Sequence, residues 1–130
     1  MRKRKTFSTA LELSAGTTKG DIFFTRVLDL PIAPVSGMRI DLEDLTVRVE
    51  EISLIWNRDH EVYKKGTILC GCLDDLNDTE WDESYLVDMA KSLPKWGWFI
   101  SEQTEDSVFE FLSTLDLAAK MSRWALLRAK

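Results

Sequence analysis

The chain opens on an alternating segment. From Lys5 to Ser14, Phe7, Thr9, Leu11 and Leu13 fall on one side, and Ser8, Ala10 and Glu12 on the other. That period of two marks a half-buried strand. AGTTKG then turns the chain, and Asp21 to Leu30 resumes in β-rich composition with Ile22, Phe23, Phe24, Thr25 and Val27. The pattern predicts a hairpin with a loop longer than two residues. In the PIAPVSG stretch that follows, Pro31 and Pro34 lack the amide donors of a central strand, so it reads as an extended connection at a sheet edge.

Met38 to Leu42 is a short strand, and a longer one runs from Leu45 to Trp56 with a change of phase. Leu45, Val47 and Val49 share one side, after which the apolar set moves to Ile52, Leu54 and Trp56. A strict period of two would leave one set in water, whereas a bulge near Glu50 and Glu51 returns both to the core side. NRDHE turns the chain, and Val62 to Leu73 is the partner strand.

From Asp74 the period becomes helical. Trp81, Tyr85, Leu86, Met89, Ala90 and Leu93 line one side of a helix that acidic residues precede and Pro94 ends. KWGWFIS turns into a short extended segment. Thr104 to about Arg128 forms the last helix, acidic at its start and basic at its end as the macrodipole favours. Its polar stripe, Asp106, Glu110, Ser113, Asp116, Lys120 and Arg123, is narrow. Such a helix needs cover on more than one side. At 1.5 Å per residue, roughly 24 residues would span about 36 Å, longer than a domain of this size is wide. Two outcomes stay open: a break near Ser113 and Thr114, or extension into a partner chain.

The elements add up to an α+β fold: an antiparallel, twisted or partly closed sheet of about five strands, followed by two C-terminal helices packed on it. The 130 residues fit one domain, 1–130, with a basic flexible tail at 1–5, a β-rich part at 6–73 and a helical part at 74–130. With 45% hydrophobic residues, five tryptophans and six phenylalanines, the chain holds enough apolar volume for a core. Two cysteines cannot build a disulfide framework, which favours a reducing, cytoplasmic setting. MRKRKTFSTALELSAG has the basic block of a secretory leader, but Glu12 interrupts its apolar part. No stretch approaches the roughly 20 apolar residues of a membrane span, so no membrane partner is expected.

The net charge of -5 is unevenly spread. Arg2, Lys3, Arg4 and Lys5 crowd one end, and Lys120, Arg123, Arg128 and Lys130 the other. All 22 acidic residues lie between, and 22 acidic against 9 basic residues leave that body at -13. It repels phosphate backbones, so nucleic acid could engage only the basic termini.

Four features invite chemistry. Asp74, Asp75, Asp78, Glu80, Asp82 and Glu83 suggest calcium, but lack the glycine and glutamate spacing of a calcium loop and suit the start of a helix. His60, the only histidine, sits in a predicted turn between Asp59 and Glu61. ILCGC puts Cys70 and Cys72 on one side of a central strand with parallel side chains, unsuited to a disulfide and far from further metal ligands, so both read as small core residues with Gly71 between them. No nucleophile-elbow, phosphate-loop or zinc pattern occurs, and no catalytic, cofactor-binding or metal residue is assigned. The tryptophans suit interface anchors better: Trp96 and Trp98 around Gly97, with Trp81, Trp124 and Met121.

The expectation is a non-catalytic binding or regulatory protein, self-associating through its C-terminal helix, whose acidic body and tryptophan-rich edge meet a protein partner. One alternative is a small-molecule-binding or hydrolytic domain with a pocket between sheet and helices. Another is a nucleic-acid accessory protein using its basic termini.

Overall fold

The computed structural model describes residues 5–43, 45–56, 63, 65–77 and 79–115. Among these lie six strands, β1 (Phe7–Thr17), β2 (Gly20–Leu30), β3 (Arg39–Asp41), β4 (Thr46–Ile55), β5 (Thr67–Asp74) and β6 (Phe99–Ile100), with helices α1 (Glu83–Ser92) and α2 (Asp106–Thr114). The class is α+β. The strands form one open sheet in the order β3-β4-β5-β1-β2-β6.

β1 and β2 pair without interruption from Phe7↔Leu30 to Thr17↔Gly20. The loop is therefore only Thr18 and Lys19, shorter than the sequence implied. The Thr17 hydroxyl makes this possible: it donates to Gly20 O at 2.6 Å and accepts from Lys19 N at 3.0 Å. Gly20 supplies the positive φ of 129° that closes the turn.

β4 and β5 are antiparallel, and their register shifts between Val49 and Glu51, which leaves Glu50 as the extra residue. Val49 faces Cys72, while Ile52 and Leu54 face Cys70 and Ile68, so both apolar sets stand on one side of the sheet. The change of phase in the sequence is this bulge.

The sheet is mixed rather than wholly antiparallel, because β5 lies parallel to β1 from Thr9↔Ile68 to Leu13↔Cys72. β5 is apolar on both sides and takes the centre, where each side is flanked. That position sets it beside β1, and the direction imposed by the β4–β5 hairpin makes the pair parallel.

Both helices cover one face. Leu86, Met89, Ala90 and Leu93 from the α1 region, and Val108 and Leu112 from α2, share a buried cluster with Leu11, Leu13, Ile22, Phe24, Val47, Val49, Cys70 and Cys72. Each Val, Leu, Ile, Phe or Met side chain among them contributes about 1.5–3 kcal/mol by leaving water. On the other, open face a small cluster of Ala10, Ile55 and Tyr63 forms with Leu69 against it.

Asp82 caps α1 by accepting from Tyr85 N at 2.7 Å. Pro94 converts its end into a 3-10 turn, Leu93–Trp96, which Gly97 terminates at φ 95°. α2 ends at Thr114, at the point where a break was one of the two outcomes; Met121, Trp124 and the rest of 116–130 lie outside the described residues. No helix among the described residues is long and apolar enough to cross a membrane.

Candidate functional site

Past the Leu13↔Cys72 pair, β1 and β5 part. β1 runs on into its hairpin with β2, while the chain leaves β5 at 75–77 and, after the described residues 79–80, returns at Trp81. There the chain is fastened to β1, since Trp81 N donates to Gly16 O at 2.8 Å and Thr18 N donates to Trp81 O at 3.2 Å. Residues 75–77 and 79–80 form an arch, and beside it lies a half-open cleft of about 350 Å³. Its walls are Ser14, Ala15 and Gly16 of β1, Asp21 and Phe23 of β2, Leu73 and Asp74 of β5, Asn77, Thr79 and Glu80 of the arch, and Trp81. Crevices beyond the carboxyl ends of neighbouring parallel strands, where the connections diverge, are where open sheets hold ligands.

The lining is rich in acceptors. Asp74 is 2% exposed and accepts from Tyr85 Oη at 2.6 Å and from Leu76 N at 3.1 Å. Asp21 and Glu80 are exposed, and no lysine, arginine or histidine lines the wall among the described residues. Trp81 is fully buried, and its indole Nε1 has no hydrogen-bond partner among the described residues. The nearby guanidinium groups are engaged outside the cleft, Arg39 and Arg48 both reaching Asp75, at 2.9 Å and 3.1 Å.

Apart from the exposed Glu80, the described residues of the acidic run divide into individual structural tasks. Asp82 caps α1 and Glu83 lies in its first turn, Asp75 is paired with arginines, and Asp74 joins β5 to α1. Asp78 lies outside the described residues, and no group of three or more metal-ligating side chains forms among those described. Cys70 and Cys72 are free and buried, and burial pushes their thiols up to about 11 and about 12. They pack in the core, as the central position of their strand implied.

The tryptophan candidates separate. Trp98 and Trp81 have no exposed surface, which corrects their assignment as interface anchors: the left-handed turn at Gly97 carries Trp98 inward, and the pairing of Trp81 with β1 draws it into the core. Trp96 remains 44% exposed. Lys5 is exposed, with its ammonium 5.6 Å from the centre of the Phe7 ring, while Arg2, Lys3, Arg4 and His60 lie outside the described residues.

Two features escaped the sequence reading. One is the cleft, which lies on the open side at the strand ends rather than between sheet and helices. The other is at β4: Ile52, Leu54 and Trp56 are 40%, 56% and 65% exposed. The bulge brings Ile52 and Leu54 to the core side of the sheet, but neither helix extends over them. No family model matches the chain, and no curated protein or solved structure shows significant similarity to it.

Proposed function

We propose that this is a binding protein that self-associates, two copies meeting along the outer edge of β4. The observation that carries the reading is an unprotected edge. β3 pairs with β4 only from Thr46 to Arg48. The preceding loop extends that cover by Gly37 N to Val49 O, Val49 N to Met38 O and Ser36 Oγ to Glu50 O. Beyond it, among the described residues, nothing pairs with the outer side of β4. The ISLIW sequence there carries neither charge nor proline, the usual devices that stop an edge from pairing with another chain.

A second copy fits this edge by symmetry. A two-fold antiparallel alignment centred on Leu54 sets Ile52 of each copy beside Trp56 of the other. It also holds the two Glu51 carboxylates about 20 Å apart, six residues at roughly 3.3 Å each. The basic termini of one chain complement the acidic body of the other. The buried free thiols suit a reducing, cytoplasmic setting.

Sedimentation velocity over a dilution series tests the reading. The wild type is expected to dimerise, and Leu54→Lys to shift the equilibrium to monomer while keeping its circular dichroism. A wild type that stays monomeric at the highest concentration overturns self-association. If Trp124→Ala dissociates the dimer and Leu54→Lys does not, the contact belongs to the C-terminal segment and the edge assignment is wrong.

A further inference from the structure

We propose that the open end of the helix-bearing face, at Ile52, Leu54 and Trp56, is the docking surface for residues 116–130 of the same chain. Ile52 and Leu54 stand on that face beside Cys70 and Ile68, and Trp56 follows at the same period of two. Elsewhere on the face, apolar side chains are buried with those of α1 and α2. These three are 40%, 56% and 65% exposed, and Ile68 beside them is only half-buried. Large apolar side chains adjoining one another in the open mark a contact surface.

The sequence of 116–130 supplies the matching surface. Leu117, Ala118, Met121, Trp124 and Ala125 follow the spacing i, i+1, i+4, i+7, i+8, which gathers them into one apolar stripe when the segment is coiled. Four basic residues, Lys120, Arg123, Arg128 and Lys130, against the single Asp116 give it a charge of +3. The body it meets is acidic, and Glu50 and Glu51, immediately before Ile52, are exposed. Opposite charge favours the approach.

Reach is sufficient. α2 starts against the beginning of β2, where Glu105 N donates to Asp21 O. Leu54 lies in one row with Ile68, Thr9 and Leu28, three strand spacings across the sheet from β2 and seven residues along β2 from Asp21. At about 4.8 Å per strand and about 3.3 Å per residue, the separation is about 27 Å. Trp124 is 19 residues beyond Glu105, about 28 Å as a straight helix, and any uncoiled residue lengthens the path. The chain can therefore reach its own β4. This docking uses side chains that stand off the sheet, whereas the edge pairing proposed above uses the outward backbone groups of β4, so neither rests on the other.

The test is a nuclear Overhauser measurement on the full-length protein with labelled methyl groups. Contacts are expected from the methyls of Ile52 and Leu54 to the side chains of Met121 and Trp124. A mixture of labelled and unlabelled protein, filtered for contacts between copies, is expected to show none of them. Trp124→Ala should shift the Ile52 and Leu54 methyl resonances and leave those of Leu69, on the opposite face, in place. Absence of the contacts in the wild type, or unmoved Ile52 and Leu54 resonances in the variant, overturns the proposal. Contacts that arise only between copies overturn its assignment to the same chain. Because the wild-type contacts are read without a substitution, they decide the matter even if the variant fails to fold. A monomer in sedimentation that keeps the contacts removes the self-association reading alone, and a dimer without them removes this one alone.

Discussion

Tyr85 Oη donates a 2.6 Å hydrogen bond to Oδ2 of Asp74, joining the first turn of α1 to the last residue of β5. The same tyrosine ring stands edge-on to Trp81, with centroids 5.0 Å apart. One side chain therefore connects the sheet, the helix and the arch beside the cleft. Hydrogen bonds to charged groups are worth about 1.5–3 kcal/mol, and a buried acceptor that loses its donor keeps its desolvation cost. Tyr85→Phe should lower the unfolding free energy in urea by about that amount. A double-mutant cycle with Asp74→Asn should show that the two losses are not additive.

Trp96 and Trp98 flank Gly97 yet occupy opposite environments, 44% and 0% exposed. Trp98→Ala removes a large core side chain and should cost about 3–5 kcal/mol. Trp96→Ala should remain within about 0.5 kcal/mol of the wild type, as surface substitutions do. Acrylamide should lose a quenchable component of tryptophan fluorescence in the Trp96 variant. If Trp96→Ala destabilised the monomer as much as Trp98→Ala, the assignment of the two rings would be reversed.

The contrast between these tryptophans shows what the sequence made legible. Local signals carried far: the phase change at Glu50 marked the bulge, Asp82 and Pro94 bracketed α1, and the doubly apolar ILCGC segment marked a central strand. Each is a property of neighbouring residues that the chain must satisfy wherever it lies. The parallel pairing of β1 with β5 is different, since it joins Leu13 to Cys72 across most of the sheet-forming sequence. The cleft depends on that pairing, and its walls come from β1, β2, β5 and the arch, so no single stretch announces it. Exposure at Ile52 and Leu54 likewise depends on where the helices come to rest. Alternation can assign a residue to a side of the sheet, but it does not say whether that side is covered.

Deletions in β4 should separate the bulge from the rest of the strand. Glu50 is the extra residue, so removing it leaves Val49 opposite Cys72 and Glu51 opposite Gly71. The losses are its 3.0 Å ion pair with Arg48 and its carbonyl contact with the Ser36 hydroxyl, and the cost should be near 1 kcal/mol, about the worth of such surface contacts. Deleting Ser53 instead moves every later residue of β4 to the opposite side. Ile55, 5% exposed and packed with Ala10 and Tyr63, would leave its cluster. That variant should lose about 2–5 kcal/mol or fail to fold. Urea unfolding of the two variants distinguishes them, and equal losses would show that the bulge, rather than the alternation after it, sets the strand.

Alkaline conditions should destabilise the protein through its thiols. In the unfolded chain a thiol ionises near 8.5, whereas burial pushes Cys70 to about 11 and Cys72 to about 12 in the fold. Below the unfolded value both states hold their protons, and ionisation of these groups has no effect on stability. Above it the unfolded chain releases protons that the folded chain retains, so the equilibrium moves toward unfolding until pH passes the folded values. The slope is at most about 1.4 kcal/mol per pH unit for each thiol. Urea unfolding between pH 8 and about 11 should therefore show a steeper decline in the wild type than in a Cys70→Ala, Cys72→Ala variant, since the difference between the two isolates the thiols from lysine and tyrosine titration. In parallel, a thiol-specific reagent at pH 8 should label the wild type only as fast as it unfolds. Rapid labelling of the folded protein would mean that β5 opens independently of the rest of the sheet.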